Sequence, residues 1–270
     1  MRFINNVHQE HFENHGYVKI PLLNNEEIST LKEYILGNTP VVEMAEQNGF
    51  FQGVFIKDKK VKQDLSNFIK STIGEKLDAL IDEYKEIIYT ALAKSSNENS
   101  QLALHQDASY VDENVDYSMS LWIPLSDSTL ENGAIHILKE SHKSFPTIRC
   151  ATIIHDYGDS DEIKRKMDCI EVQAGEALFF HSRMLHYTPK NTTGETRIAV
   201  MSCLMSAKAD ILQWYKIEDT KLEVYKMKDD FFLNVGDLML EKDNKPNGEK
   251  IGEVTIVPFN SELNALLQNQ

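Results

Sequence analysis

Two histidines and an aspartate have the types and spacing of metal ligands. His105 and Asp107 lie two apart in LHQD, His186 follows far downstream, and Arg197 comes eleven residues after it. Two imidazoles and one carboxylate are the donor set of non-haem Fe(II) centres, and they leave positions on the ion open for a cosubstrate and for dioxygen. Zn, Mn, Co and Ni accept the same donors, so the residues define a site more firmly than they define its metal. An arginine nearby suits a carboxylate, because its planar fork donates two parallel hydrogen bonds. Together they point to 2-oxoglutarate, a dicarboxylate that can chelate an ion at one end and meet an arginine at the other.

Such a site needs strands. Residues two apart on a strand share a face, so His105 and Asp107 at the end of SQLALHQ can reach one ion, while Gln106 points away or supports from behind. After Tyr84 the chain reads as short strands rich in β-branched and aromatic residues: KEIIYTALAK, SQLALHQ, YSMSLWIPL, GAIHIL, CIEVQ, EALFFH and RIAVMSCLM. Turn signals separate them at residues 97–99, 131–133, 174–175 and 193–194. Before them, Asn24 to Glu27 has the form of a capping box opening a helix, with Ile28, Leu31 and Ile35 at helical spacing and Gly37 as its stop. A second helical pattern runs over 61–81, with Gly74 as a break. The expected fold is an all-β core, a double-stranded β-helix (jelly roll, cupin-like), with flanking N-terminal helices. One domain is expected over 1–270: a helical part to about 85, a jelly-roll core over about 86–206, and an extension over about 207–270. In that extension LEVYKMKDDFFLNVG and GEVTIVPF read as extra strands on the core edge, before a frayed end at NALLQNQ.

His181 competes with His186, since both lie in EALFFHSRMLHYTP. His186 is the better ligand because a strand end and turn, Tyr187-Thr188-Pro189, follow it. A hairpin through 191–194 would then set Arg197 on the neighbouring strand. His181 reads as a buried histidine satisfied by backbone.

These segments resemble a known family. LHQDASYVDE, SLWIPLSDSTLENGAIHILKESHK and GEALFFHSRMLHYTPKNTTGETRIAV are similar to the phytanoyl-CoA dioxygenase family of Fe(II)/2-oxoglutarate oxygenases, and FENHGYVKIPLLNNEEISTLKEYI is like that family's opening segment. The resemblance covers residues 9 to about 205. It implies that His105, Asp107 and His186 bind iron, that Arg197 anchors 2-oxoglutarate, and that Trp122, Gln106 and Thr188 lie beside that cosubstrate. It implies a dioxygenase that hydroxylates an unactivated C–H of a small molecule, releasing succinate and carbon dioxide. Halogenating relatives carry a small residue where Asp107 stands, so the carboxylate implies an ordinary oxidation. The chain departs from the family at Lys139-Glu140-Ser141-His142, where Pro-Gly-Ser-His is frequent, so that turn must be built differently.

Two other functions use the same residues: a jelly-roll His₂Asp isomerase or hydrolase with zinc, and a non-catalytic ligand-binding relative. Arg197 argues against the first, having no dicarboxylate to hold there, and the complete triad argues against the second. A formal charge of −14 argues against nucleic acid, whose phosphates require clustered Lys and Arg. No run of apolar residues is long enough to span a membrane, and the opening MRFINNVHQEHFENHG has no signal-peptide core. Three widely spaced cysteines fit a reducing compartment, so a cytoplasmic enzyme acting on a small molecule is expected. Oligomeric state is not legible.

Covers over the site are sought in residues 49–60, residues 110–118 and the tail after 213, because active-site covers are loops on a rigid scaffold. Tyr110, Phe51 and Trp214 are pocket aromatics or packing ones, and Lys94 and Arg183 either pair with an acidic substrate group or are solvated. His8, His11 and His15 read as a surface cluster, and His136, His142 and His155 as structural or surface residues. Asp112, Glu113 and Asp116 read as a solvated loop, or else as a lid contacting a cationic substrate, and Asn132-Gly133 as a turn with positive φ.

Overall fold

The strands expected after residue 84 form two facing antiparallel sheets in the computed structural model, which describes residues 1–144, 148–150, 161–235 and 245–256. The larger has six strands: β2 (Tyr17–Pro21), β3 (Phe50–Gln52), β5 (Tyr84–Lys94), β7 (Ser118–Pro124), β10 (Glu176–His181) and β12 (Arg197–Ser206). They lie in the order β2-β10-β7-β12-β5-β3. The smaller has β6 (Leu102–His105), β8 (Ile135–Ile137), β9 (Asp168–Ile170) and β11 (His186–Thr188), ordered β6-β11-β8-β9. A short pair, β1 (Arg2–Phe3) with β4 (Ile81–Asp82), ties the N-terminus down. This is a jelly roll flanked by N-terminal helices.

Both faces of the large sheet are buried, which is why its strands read as nearly continuous apolar runs instead of alternating ones. Ile198, Val200, Leu121, Ile123 and Phe179 point outward and pack on α2 (Asn25–Asn38) and α4 (Lys59–Asp78) through Leu31, Ile35, Leu65 and Ile69. Their neighbours Ala199, Trp122, Leu178 and Phe180 point inward and meet Ile135, Ile137 and Ile170 of the small sheet. The two-residue period of a strand therefore divides the chain into a helix-packing layer and an inner layer that lines the site.

Helix α2 opens with the expected capping box: Asn24 accepts from the Glu27 amide at 3.0 Å, and Glu27 accepts from the Asn24 amide at 2.8 Å. Gly37 is not its stop. The helix runs to Asn38 and ends at extended Thr39 (φ −137°, ψ 153°), because Pro40 excludes the helical region for the residue before it. Gly74 does not break α4 either, since Ile69, Ile73 and Leu77 anchor it on both sides. Helices α1 (Asn6–His15) and α3 (Val41–Asn48) complete the layer.

The C-terminal strands do not extend the core edge. β13 (Leu212–Glu218), β14 (Lys221–Lys226) and β15 (Glu249–Thr255) pair only with one another. The edges of the large sheet are already occupied by β2 and β3. The three-stranded sheet has its own apolar face, Leu212, Trp214, Leu222 and Val224, which packs on Ile148 and Cys150. Trp214 is thus a packing aromatic, as is Phe51 against the helix layer. His155 and the end at NALLQNQ lie outside the described residues. The three cysteines form no disulfide among the described residues, and no helix among those residues is long and apolar enough to cross a membrane.

Candidate functional site

Strands β6 and β11 bring His105 and His186 into register, with ring centroids 4.2 Å apart. Asp107 follows just after β6, and the donor atoms of the three residues all lie within 4.8 Å of one another. His186 Nε2 and Asp107 Oδ1 are 3.8 Å apart.

Each ligand is oriented by a local contact. His105 Nδ1 is 2.7 Å from the Ala103 carbonyl, and His186 Nδ1 is 2.9 Å from the Met184 carbonyl. A carbonyl only accepts, so both rings carry the proton on Nδ1 and present the Nε2 lone pair to the site. Ser120 donates a short hydrogen bond to Asp107 Oδ2, which leaves Oδ1 for an ion. Burial, reinforced by His105, holds His186 well below the usual histidine range, so the imidazole stays neutral and available as a donor.

Beyond the triad is a fully buried cationic corner. Arg197 opens β12 and is 4% exposed. Its Nη1 donates to the Ser128 hydroxyl at 3.1 Å and the Gly133 carbonyl at 2.6 Å, and its guanidinium stacks over Trp122 at 5.2 Å. Its Nε is buried without a hydrogen-bond partner among the described residues. Lys94 is the cross-strand neighbour of Arg197 and has no exposed surface. Its ammonium donates to the Ser100 carbonyl and, at 2.9 Å, to the Thr188 hydroxyl. Burial lowers Arg197 to about 10, and burial with the Arg197 charge lowers Lys94 to about 7. No carboxylate among the described residues offsets either charge.

Gly133 is the tight point of this corner. Its φ is +79°, and a Cβ there would lie 2.5 Å from both Lys94 Cε and the Pro189 carbonyl oxygen. Gly133→Ala is therefore expected to displace Lys94 and the carbonyl that holds Arg197, at a cost of roughly 1–3 kcal/mol. Urea unfolding of the variant against wild type measures it.

Arg197 is not on the strand beside His186. Residues 189–196 cross from the small sheet to the large one, so the arginine faces the His186 strand across the barrel. Buried Asn191 organises the crossing, donating to the carbonyls of Lys94 (3.1 Å) and Glu195 (2.7 Å). His181 stands outside the triad, stacked on Phe12 and Tyr117 behind the large sheet, its Nδ1 accepting from the Arg183 amide at 3.0 Å. Gln106 turns away from the ligands and donates to the Arg183 carbonyl at 2.7 Å. Tyr110 packs on Phe232, and burial raises both its phenol and the Cys203 thiol, so both stay protonated.

Sequence reasoning missed three residues. Ser120 shares a strand face with Trp122 and was legible on that ground. Glu113 is not solvated: its carboxylate is 1% exposed and pairs with Arg149 at 2.6 and 2.7 Å. Arg149 also donates from Nε to the main-chain carbonyl of Asp107 at 2.8 Å. It sits in a stretch without motif or periodicity, and no local signal marks it. Lys139–His142 is built with Glu140 in the left-handed region (φ 62°), and the Ser141 hydroxyl accepts from the Leu185 amide at 2.9 Å.

The family model described as phytanoyl-CoA dioxygenase matches residues 12–199. A phytanoyl-CoA dioxygenase of Arabidopsis thaliana is 25% identical over 218 residues, 71% of this chain and 75% of that protein. Among solved structures, HygX from Streptomyces hygroscopicus with nickel and 2-oxoglutarate bound is similar with a TM-score of 0.55 and 15% identity, over 76% of this chain and 88% of that one. The non-heme alpha ketoglutarate dependent epimerase SnoN from nogalamycin biosynthesis aligns with a TM-score of 0.55 and 18% identity, over 92% of both chains. EvdO2 from Micromonospora carbonacea var. aurantiaca complexed with 2-oxoglutarate gives 0.55 and 21%, over 76% of this chain and 91% of its own. At these identities the structures establish a shared fold.

Proposed function

This chain belongs to the phytanoyl-CoA dioxygenase family, and we propose that it is an Fe(II)- and 2-oxoglutarate-dependent dioxygenase that hydroxylates an unactivated C–H of a small molecule. The observation that carries the reading is the conjunction of two sites. One is a His₂Asp donor set with both Nε2 atoms and Oδ1 left free. The other is a buried arginine whose Nε has no partner among the described residues.

The residues fit the groups this reading needs. His105, Asp107 and His186 would hold the iron as three ligands with the other positions open. When bound, iron and 2-oxoglutarate supply the oxidising power, dioxygen being consumed as 2-oxoglutarate is decarboxylated to succinate and carbon dioxide. The chain's own part is placement. Arg197 would take the far carboxylate through its unsatisfied edge, because a planar fork fixed by Ser128, Gly133 and Trp122 has lost its freedom before the ligand arrives. Trp122 shields that ion pair from water, and Thr188 offers a hydroxyl. Gln106 keeps the loop after His105 in place through Arg183. Tyr110 and Cys203, kept protonated by burial, stand near Asp107 without competing charge. Position decides which C–H reacts, since a misplacement near 1 Å can cost on the order of a hundredfold in rate. Three cysteines without a disulfide framework suit work in the cytosol.

Anaerobic titration of the metal-free protein with Fe(II) and then 2-oxoglutarate tests the reading. The expected result is a visible charge-transfer band that Arg197→Ala shifts to roughly a hundredfold higher 2-oxoglutarate, with iron binding little changed. Tight zinc binding with no band would favour a hydrolase or isomerase instead. Product mass then checks the outcome: hydroxylation adds one oxygen atom from dioxygen.

A further inference from the structure

Thr188 touches the charge of Lys94, and that contact restricts what its hydroxyl can do. In its charged form the Lys94 amine has three donors and no acceptor, so in the 2.9 Å contact the Thr188 oxygen accepts. The hydroxyl's own hydrogen then has no acceptor among the described residues. It lies in the same corner as the Arg197 Nε, which no described residue satisfies, and neither buried cation has a counter-anion among the described residues. Burying charge without a partner is costly. A corner built this way is completed by an anion that accepts from both Arg197 and Thr188.

We propose that Lys94 is a positioning residue for the cosubstrate: its ammonium commits the Thr188 hydroxyl to donate to the far carboxylate that Arg197 binds, so that a lysine–threonine relay works beside the arginine to select a dicarboxylate. This rests on the 2-oxoglutarate reading above and extends it. The contact of Lys94 with the Ser100 carbonyl has a purely structural use, tying residues 95–101 to the barrel, so the test must separate relay from tether.

The test is calorimetric titration of the Fe(II)-loaded protein, without oxygen, using 2-oxoglutarate and 2-oxobutyrate. The second ligand keeps the 2-oxo acid end and lacks the far carboxylate. Lys94→Met and Thr188→Val are each expected to weaken 2-oxoglutarate about tenfold and to leave 2-oxobutyrate within roughly twofold. The double variant is expected to lose about tenfold as well, because both changes break one relay. Unchanged 2-oxoglutarate affinity in Lys94→Met makes Lys94 a tether and overturns the proposal. Equal loss of both ligands would do the same, by showing a distorted site. A loss near a hundredfold in the double variant means that Lys94 acts without Thr188, and the relay is wrong. If Lys94→Met does not fold, Thr188→Val against Thr188→Ser carries the test: an affinity gap supports the relay and equality overturns it. A wild type that binds both ligands equally, or neither, would sink the cosubstrate reading itself and this proposal with it.

Discussion

Asp107→Ala is expected to give a folded protein with no measurable turnover of 2-oxoglutarate and iron affinity reduced by more than about a hundredfold. Removing a partner that only orients a ligand typically costs ten- to a hundredfold, so removing the ligand itself must exceed that range. Ser120→Ala supplies the internal comparison, because it deletes the donor to Asp107 Oδ2 and keeps the carboxylate. It should weaken iron by about tenfold and retain turnover at saturating metal. Folding should barely respond to Asp107→Ala. The carboxylate is 25% exposed, and its side chain is held by one serine, so thermal unfolding of the metal-free variant should stay within about 1 kcal/mol of wild type. Metal titration of both variants measures the ratio. Equal losses in Asp107→Ala and Ser120→Ala would mean that the carboxylate is not a ligand.

The features legible in the sequence are those set by local rules. The capping box at Asn24 and the positive φ of Gly133 each depend on a few neighbouring residues and stand as read, whereas His105 and Asp107 meet as expected although Asp107 falls just past the end of its strand. The misreadings come from long-range choices. Gly37 looked like a helix stop until Pro40 is weighed, whose steric demand acts one residue back on Thr39. A turn at 191–194 reads as a hairpin because a tight turn is the same whether the next strand joins the same sheet or the facing one; only packing of both apolar faces decides. The C-terminal strands seemed destined for the core edge because β2 and β3, five and three residues long, carry too little pattern to be seen occupying it. Glu113 looked solvated for a related reason. A charged loop residue and a buried ion-pair partner have the same sequence until a distant arginine is placed beside one of them.

That buried pair carries the other large effect. Arg149→Met should destabilise the fold by about 3–5 kcal/mol, because it strands the Glu113 carboxylate in the interior with its bidentate partner gone. Arg183, 3.7 Å from the same carboxylate, offers a poorer geometry and will not restore it. Even with both arginines present, burial holds Glu113 above the usual carboxylate range, outweighing their attraction. Removing Arg149 raises it further. A carboxyl raised in the folded state contributes its stability below the unfolded pKa and loses it as pH rises through the folded one, so the deficit should be small near pH 4 and grow toward neutrality. Adding Glu113→Gln should recover most of the loss, since replacing both members of a buried pair is close to neutral. Iron affinity should not follow. Arg149 Nε also holds the Asp107 carbonyl, and no change at Glu113 returns that bond. The double variant is therefore expected to unfold near the wild-type denaturant midpoint yet bind iron about tenfold more weakly. Recovery of stability and iron affinity together would instead mean that Arg149 acts on the metal only through the fold, because a bond to the ligand's own backbone is the one contribution that Glu113→Gln cannot replace.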